Sequence, residues 1–150
     1  MRLALDTNIL AYAEGIGGKA RHEQALALIA RIPQDAGVIP VQALGELFNV
    51  LVRKAGRKRG AARDSLLAWR DAFATVETSP AALLLAADLA THRQLGIWDS
   101  VILATASNAG CRLLLSEDMQ DGFTWGGVTV ANPFSQAPSP LIEALLGDTS

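Results

Sequence analysis

Two hydrophobic rhythms alternate along this chain. Short apolar runs such as Leu3–Leu5 and Leu113–Leu115 are separated by longer segments in which apolar residues recur every three or four positions. The first rhythm predicts buried strands and the second amphipathic helices. RLALD reads as a strand that turns into a helix at Thr7-Asn8, which leaves Asp6 at the strand's carboxyl end. From His22 to Ile32, Ala25, Leu26, Leu28 and Ile29 fall on one helical stripe, which stops before Pro33. Gly37–Ile39 predicts a brief strand. Pro40 fits the first turn of a long helix to Arg53, with Leu44, Leu47, Phe48 and Leu51 on its apolar face.

Gly56 to Gly60 interrupts that helix, and helical periodicity resumes from Ala61 to Ala74. Thr75–Glu77 is a weak strand. Ser79-Pro80 then supplies a helix cap and a first-turn proline for a helix running to about Arg93. Asp99–Ala109 is helical in pattern and closes at Gly110; Arg112–Leu115 and Val128–Val130 complete the strands. Strands alternating with helices imply right-handed crossovers, and therefore an α/β fold with a central, mainly parallel sheet and helices on both faces. The organisation expected is one domain over residues 1–132 and a tail over 133–150. The tail begins with linker-like QAPSP and holds a short amphipathic segment from Leu141 to Leu146.

With 150 residues, half of them hydrophobic, one domain can bury a sizeable core. No apolar run approaches the ~18 residues of a membrane span, and MRLALDTNIL carries charge where a signal peptide needs an unbroken apolar stretch. A soluble, cytoplasmic protein without a membrane partner is the expectation. The lone Cys111 excludes an intrachain disulfide and reads as a small buried hydrophobe. The net charge of -2 hides an uneven distribution: Arg53, Lys54, Arg57, Lys58, Arg59 and Arg63 crowd one stretch, and Glu117, Asp118 and Asp121 another. The basic stretch is either a solvated surface or a grip on a phosphate backbone.

In open parallel sheets chemistry collects at the carboxyl ends of the strands. Asp6 ends the first strand and Asp118 follows the strand RLLL, so both project from that edge. Asp99 begins the helix that leads into the later strand, and Glu46 lies on the margin of its helix's apolar stripe, between Leu44 and Phe48. Taken singly, Asp99 reads as a helix cap, Asp6 as a cap or Asx turn, Glu46 as a side chain reaching solvent and Asp118 as part of an acidic loop. Together they share one explanation. Four carboxylates converging without Lys or Arg between them repel one another and need a cation. An all-oxygen set suits magnesium, with manganese as a substitute, whereas zinc wants the His or Cys spacing that His22, His92 and Cys111 do not offer.

The segments LDTNIL, GELFNVL, IWDSVILATA and LLLSEDMQDG together resemble the PIN-domain ribonucleases, especially the VapC-like toxins of bacterial toxin–antitoxin pairs, over roughly residues 2 to 132. The resemblance implies a three-layer PIN-like fold and metal-binding, catalytic acids at Asp6, Glu46, Asp99 and Asp118, with Asn8 and Ser116 as polar supports. Two positions depart from the pattern. The further acid often found two residues after the last one is Gln120 here, which leaves Asp121 without a role, and Ser100 replaces the usual alanine.

The activity implied is magnesium-dependent endoribonuclease cleavage, with Arg53, Lys54, Arg57, Lys58 and Arg59 holding the RNA backbone. The resemblance also implies a cognate antitoxin that occludes the acidic cleft, and a homodimer. A housekeeping PIN nuclease and a catalytically silent PIN-like module binding RNA or protein stay open as alternatives. A magnesium-binding signalling receiver would need paired acids near the first strand and a lysine after the last, and neither is present. A D-x-D phosphotransferase would need an acid where Asn8 stands.

Overall fold

The computed structural model describes residues 1–146. The last four residues of the expected 133–150 tail lie outside the described residues. The chain runs β1 (Arg2–Leu5), α1 (Thr7–Ala13), α2 (Lys19–Arg31), β2 (Gly37–Pro40), α3 (Val41–Arg53), α4 (Arg59–Ala72), β3 (Ala74–Val76), α5 (Pro80–Arg93), α6 (Ile97–Asn108), β4 (Cys111–Leu115), β5 (Thr124–Trp125), β6 (Val128–Ala131) and α7 (Pro140–Leu146). The expected α/β architecture is the one observed. Six strands form one sheet in the order β3-β2-β1-β4-β6-β5, parallel throughout except where β5 pairs antiparallel with β6.

This order explains where the chemistry sits. From β1 the chain steps outward to β2 and β3, then crosses back to β4 on the other side of β1. The direction of winding reverses there, and a crevice opens beyond the carboxyl ends of β1 and β4. Right-handed crossovers put α1 to α4 on one face of the sheet and the α5–α6 hairpin on the other. The two central strands are sealed on both sides: Leu3, Ala4, Leu5, Leu113, Leu114 and Leu115 have no exposed surface, which accounts for their unbroken apolar runs. Helix α6 lies between the sheet and α5 and is buried from Ser100 to Ala106, so it is apolar around most of its circumference. In β2, a Cβ on Gly37 would come within 2.7 Å of the Phe73 ring and 2.9 Å of Ile32, so only glycine lets α4's end pack there.

Several boundaries differ from expectation. Pro40 closes β2 and α3 starts one residue later, because Pro40 has an extended backbone (ψ 136). Helix α6 starts at Ile97, two residues before Asp99, with Gly96 at its cap. The hairpin strand β5 was not expected. Helix α7 occupies the amphipathic tail segment, and its Ile142 and Leu146 are buried in the same core as the sheet. Among the described residues, no helix is long and apolar enough to cross a membrane.

Candidate active site

Asp6 leaves β1 directly and turns the chain into α1. One carboxylate oxygen accepts the Thr7 backbone N–H at 2.7 Å, capping the helix. The other accepts the Ser116 hydroxyl at 2.7 Å and the Asn8 amide at 3.3 Å. Asn8 reaches across the crevice: its carbonyl oxygen accepts the Glu117 backbone N–H at 3.1 Å, tying α1 to the loop after β4. Ser116 in turn accepts the Met119 backbone N–H, which holds that loop in shape. Asp6 is 3% exposed, and Asn8 and Ser116 are also buried. The capping reading of Asp6 therefore describes one of its oxygens and leaves the rest of its environment to be explained.

Glu46 faces the same crevice from α3. Its Oε2 accepts the Thr7 hydroxyl at 2.6 Å and its Oε1 accepts the Gln42 amide at 3.3 Å. Thr7 thus links the first motif to the second, a role that sequence reasoning did not assign. Asp99 stands in the first turn of α6, half-buried, and among the described residues its carboxylate accepts no hydrogen bond. The expected alternative, that Asp99 is a cap, is therefore corrected: Gly96 holds that position. Asp118 is exposed on the loop after β4 and likewise accepts none.

Electrostatics join the four acids. Burial pushes the Asp6 carboxyl up to about 6, against the pull of its bonds from Ser116 and Thr7, and the charges of Asp99 and Glu46 add to the rise. Asp99 is raised as well, by burial first and then by Glu46 and Asp118. Among the described residues, no lysine or arginine lowers either one. Among the described residues, no three His, Cys, Asp or Glu side chains come close enough to hold a metal ion together. The neighbouring Glu117 behaves differently: burial would raise it, but bonds from Tyr12 and Arg21 hold its carboxyl below the usual range. Arg21 also lies 4.7 Å over the Phe134 ring, so this pair anchors the loop from the side of α2 and the tail.

Two depressions meet at Asp118. One, of about 420 Å³, runs past Glu46, Thr7 and Tyr12 to Asn49 and Lys54. The other, of about 290 Å³, runs past Asp99 to Arg93, Gln94, Leu95 and Phe123. Among the described residues, the side chains of Lys54 and Arg93 make no ion pair or hydrogen bond, so an unpaired cation stands beyond the acids on each side. Arg53, Lys58 and Arg59 are also exposed and unpaired. Arg57 is not free in this way. Its guanidinium donates to the Glu14 carbonyl at 2.8 Å and to Ser65 at 3.0 Å and lies 3.5 Å from the Glu14 carboxylate, so it fastens α1 to α4.

The remaining polar residues have structural positions. Asp121 accepts the Asn132 backbone N–H at 3.0 Å. His22 is half-buried against the Tyr12 carbonyl, 3.0 Å away, while His92 is exposed. Trp69 packs near-parallel to Phe73 at 6.5 Å and Cys111 is buried.

No curated protein sequence matches the chain. Solved structures do. A sarcin-ricin-loop-cleaving VapC toxin of Mycobacterium tuberculosis aligns with a TM-score of 0.63 at 22% identity, covering 75% of this chain and 86% of that one. A toxin–antitoxin complex from Klebsiella pneumoniae aligns at 0.65 and 22%, covering 89% and 98%. FitAcB from Neisseria gonorrhoeae aligns at 0.65 and 19%, covering 88% and 98%. These likenesses show a shared fold. The PIN domain family model matches residues 3–120, the stretch that carries Asp6, Glu46, Asp99 and Asp118, and the chain belongs to the PIN domain family.

Proposed function

We propose that the chain is a magnesium-dependent endoribonuclease and the toxin of a toxin–antitoxin pair. The observation that carries this reading is Asp6: a carboxylate 3% exposed, raised to about 6, and pushed further up by the charges of Asp99 and Glu46. Such an arrangement costs stability, and stability given up at a strand-end crevice points to function. The donor set fits a hard divalent ion, being all carboxylate and hydroxyl oxygen. Magnesium keeps several of its waters and needs only one or two direct carboxylates, so acids spaced more widely than a tight ligand cluster still suit it. Asp6, Glu46, Asp99 and Asp118 would hold it. When bound, it would polarise the scissile phosphodiester and ease deprotonation of the attacking water.

The chain's own groups do the rest. Ser116, Asn8 and the Thr7 backbone fix both oxygens of Asp6, and Thr7 and Gln42 fix Glu46, so two acids are pre-oriented while Asp99 and Asp118 accept no hydrogen bond among the described residues. Lys54, with Arg53, Lys58 and Arg59 beyond it, offers cations to the flanking phosphates. An acidic crevice open to solvent is also the natural seat for an arginine-bearing segment of an antitoxin. The aligned structure from Klebsiella pneumoniae is of a toxin–antitoxin complex, which supports an antitoxin partner here; a homodimer and a cytoplasmic setting belong to the same reading.

The test incubates the purified chain with structured RNAs and with DNA of matching sequence, in magnesium and in chelator. Cleavage of RNA that stops in chelator and returns with magnesium is the expected result. RNA bound but left intact at every metal concentration would favour the catalytically silent alternative.

A further inference from the structure

We propose that the smaller depression, between the α5–α6 connection and the loop after β4, seats the nucleobase next to the scissile phosphodiester, with Gln94 as the specificity-determining residue, Phe123 as the stacking surface and Arg93 as the holder of the adjoining phosphate. The inference rests on the reading of the acidic crevice as the site of RNA cleavage. At about 290 Å³ the depression lies at the lower limit of ligand-pocket sizes, near 300 Å³, and suits one base rather than a stretch of chain. Asp99 and Asp118 border it, so whatever fills it lies beside the acids. Leu95 and Phe123 supply apolar surface, on which bases stack whatever their identity. The Gln94 amide carries both donors and an acceptor, which is what reading a base edge requires. Arg93 is unpaired among the described residues and can hold the phosphate that follows.

Gln94 carries a second, independent sign. It is the only non-glycine residue with positive φ among the described residues, at φ 57 and ψ 28, where it ends α5. Glycine is the residue that adopts this conformation without cost, and helices commonly end on it. A glutamine there gives up backbone stability at a residue that lines the pocket. The larger depression does not compete for the base. Its aromatic residue, Tyr12, is engaged edge-on with the Phe134 ring at 5.7 Å and bonded through its hydroxyl to Glu117, which leaves that side to the RNA backbone.

The experiment uses single-stranded oligoribonucleotides that differ at one base. Their binding is read by anisotropy in chelator, and cleavage of a randomised RNA pool in magnesium is read by sequencing the new ends. The wild type should show a base preference in both. Gln94→Gly should melt no lower than wild type and yet flatten the preference, which a merely structural residue would not do. Phe123→Leu, which keeps apolar packing, should weaken binding on the order of ten-fold. Arg93→Ala should weaken all four bases alike. Unchanged preference in Gln94→Gly together with unchanged affinity in Phe123→Leu overturns the pocket assignment even if cleavage proceeds normally. Preference that Gln94→Gly abolishes, in a protein that binds but never cuts, upholds the pocket and removes the nuclease reading. A wild type with no preference in either assay overturns the pocket.

Discussion

Titrating the metal-free protein tests whether Asp6 is held as a charge against its environment. Its carboxyl rises from the ordinary 3.8 to about 6 on folding. A group raised on folding contributes stability that is fully present below its unfolded value and is lost as pH climbs through its folded value. The interval between 3.8 and 6 corresponds to about 3 kcal/mol at 1.36 kcal/mol per pH unit. Working the linkage across the accessible range, about 2 kcal/mol of this accumulates between pH 7.5 and pH 4.5. For a chain of this size the melting temperature should then rise by about 4–8 °C over that range. Glu117 acts with the opposite sign and in a lower window: its carboxyl is depressed, so its contribution is present above the ordinary 4.5 and fades only as pH falls further. Asp6→Asn should flatten the slope between pH 7.5 and 4.5. At pH 7.5 it should also raise absolute stability, by less than the full amount of about 3 kcal/mol, because relief of the buried charge is partly offset by the loss of about one hydrogen bond, where the new amide meets the Asn8 amide. Magnesium, binding the ionised cluster, should stabilise the wild type more at pH 7.5 than at pH 4.5 and so oppose the slope. Differential scanning fluorimetry across pH, with and without magnesium, reads all of this. A wild-type slope that survives in Asp6→Asn would refute the reasoning.

Other perturbations follow from single contacts. The Ser100 hydroxyl is fully buried with no hydrogen-bond partner among the described residues, so Ser100→Ala should raise stability by about 1 kcal/mol and the melting temperature by about 2–4 °C, with cleavage retained; a lower melting temperature would show that the hydroxyl has a partner. Gly37→Ala drives a Cβ into Phe73 and Ile32 and should cost about 1–3 kcal/mol in chemical denaturation. Neutralising Lys54, Lys58 and Arg59 together should reduce the salt dependence of RNA binding, each lost phosphate contact removing about 0.7 from the slope for a single strand. Arg57→Ala should instead lower stability and leave that slope unchanged, since its guanidinium is spent on Glu14 and Ser65.

The central strands and two of the acids were legible because one physical fact controls each. A strand buried on both faces must be apolar without interruption, so β1 and β4 announced themselves, and the residues just past them, Asp6 and Asp118, inherited their place at the edge. The start of α6 was misplaced because its cap is Gly96, which has no side chain to signal with, and Asp99 two residues into the helix resembled a cap. Arg57 was grouped with its neighbours because a run of charge shows sign and not partner; its partner Glu14 lies 43 residues away. The two-residue strand β5 is too short to leave a period. The pocket of Arg93, Gln94 and Phe123 is assembled from two loops far apart in sequence, and the left-handed backbone of Gln94 has no signature in its side chain.

Cleavage of RNA by Asp118→Asn in magnesium tests most directly the claim that the four acids work as one metal-holding site. Asp118 is exposed and accepts no hydrogen bond among the described residues, so the change removes a charge and leaves the fold alone. With circular dichroism and melting temperature matched to wild type, the single-turnover rate should fall by on the order of 100-fold or more. A rate within about two-fold of wild type, under the same magnesium concentration, would contradict the assignment of the crevice as the catalytic site.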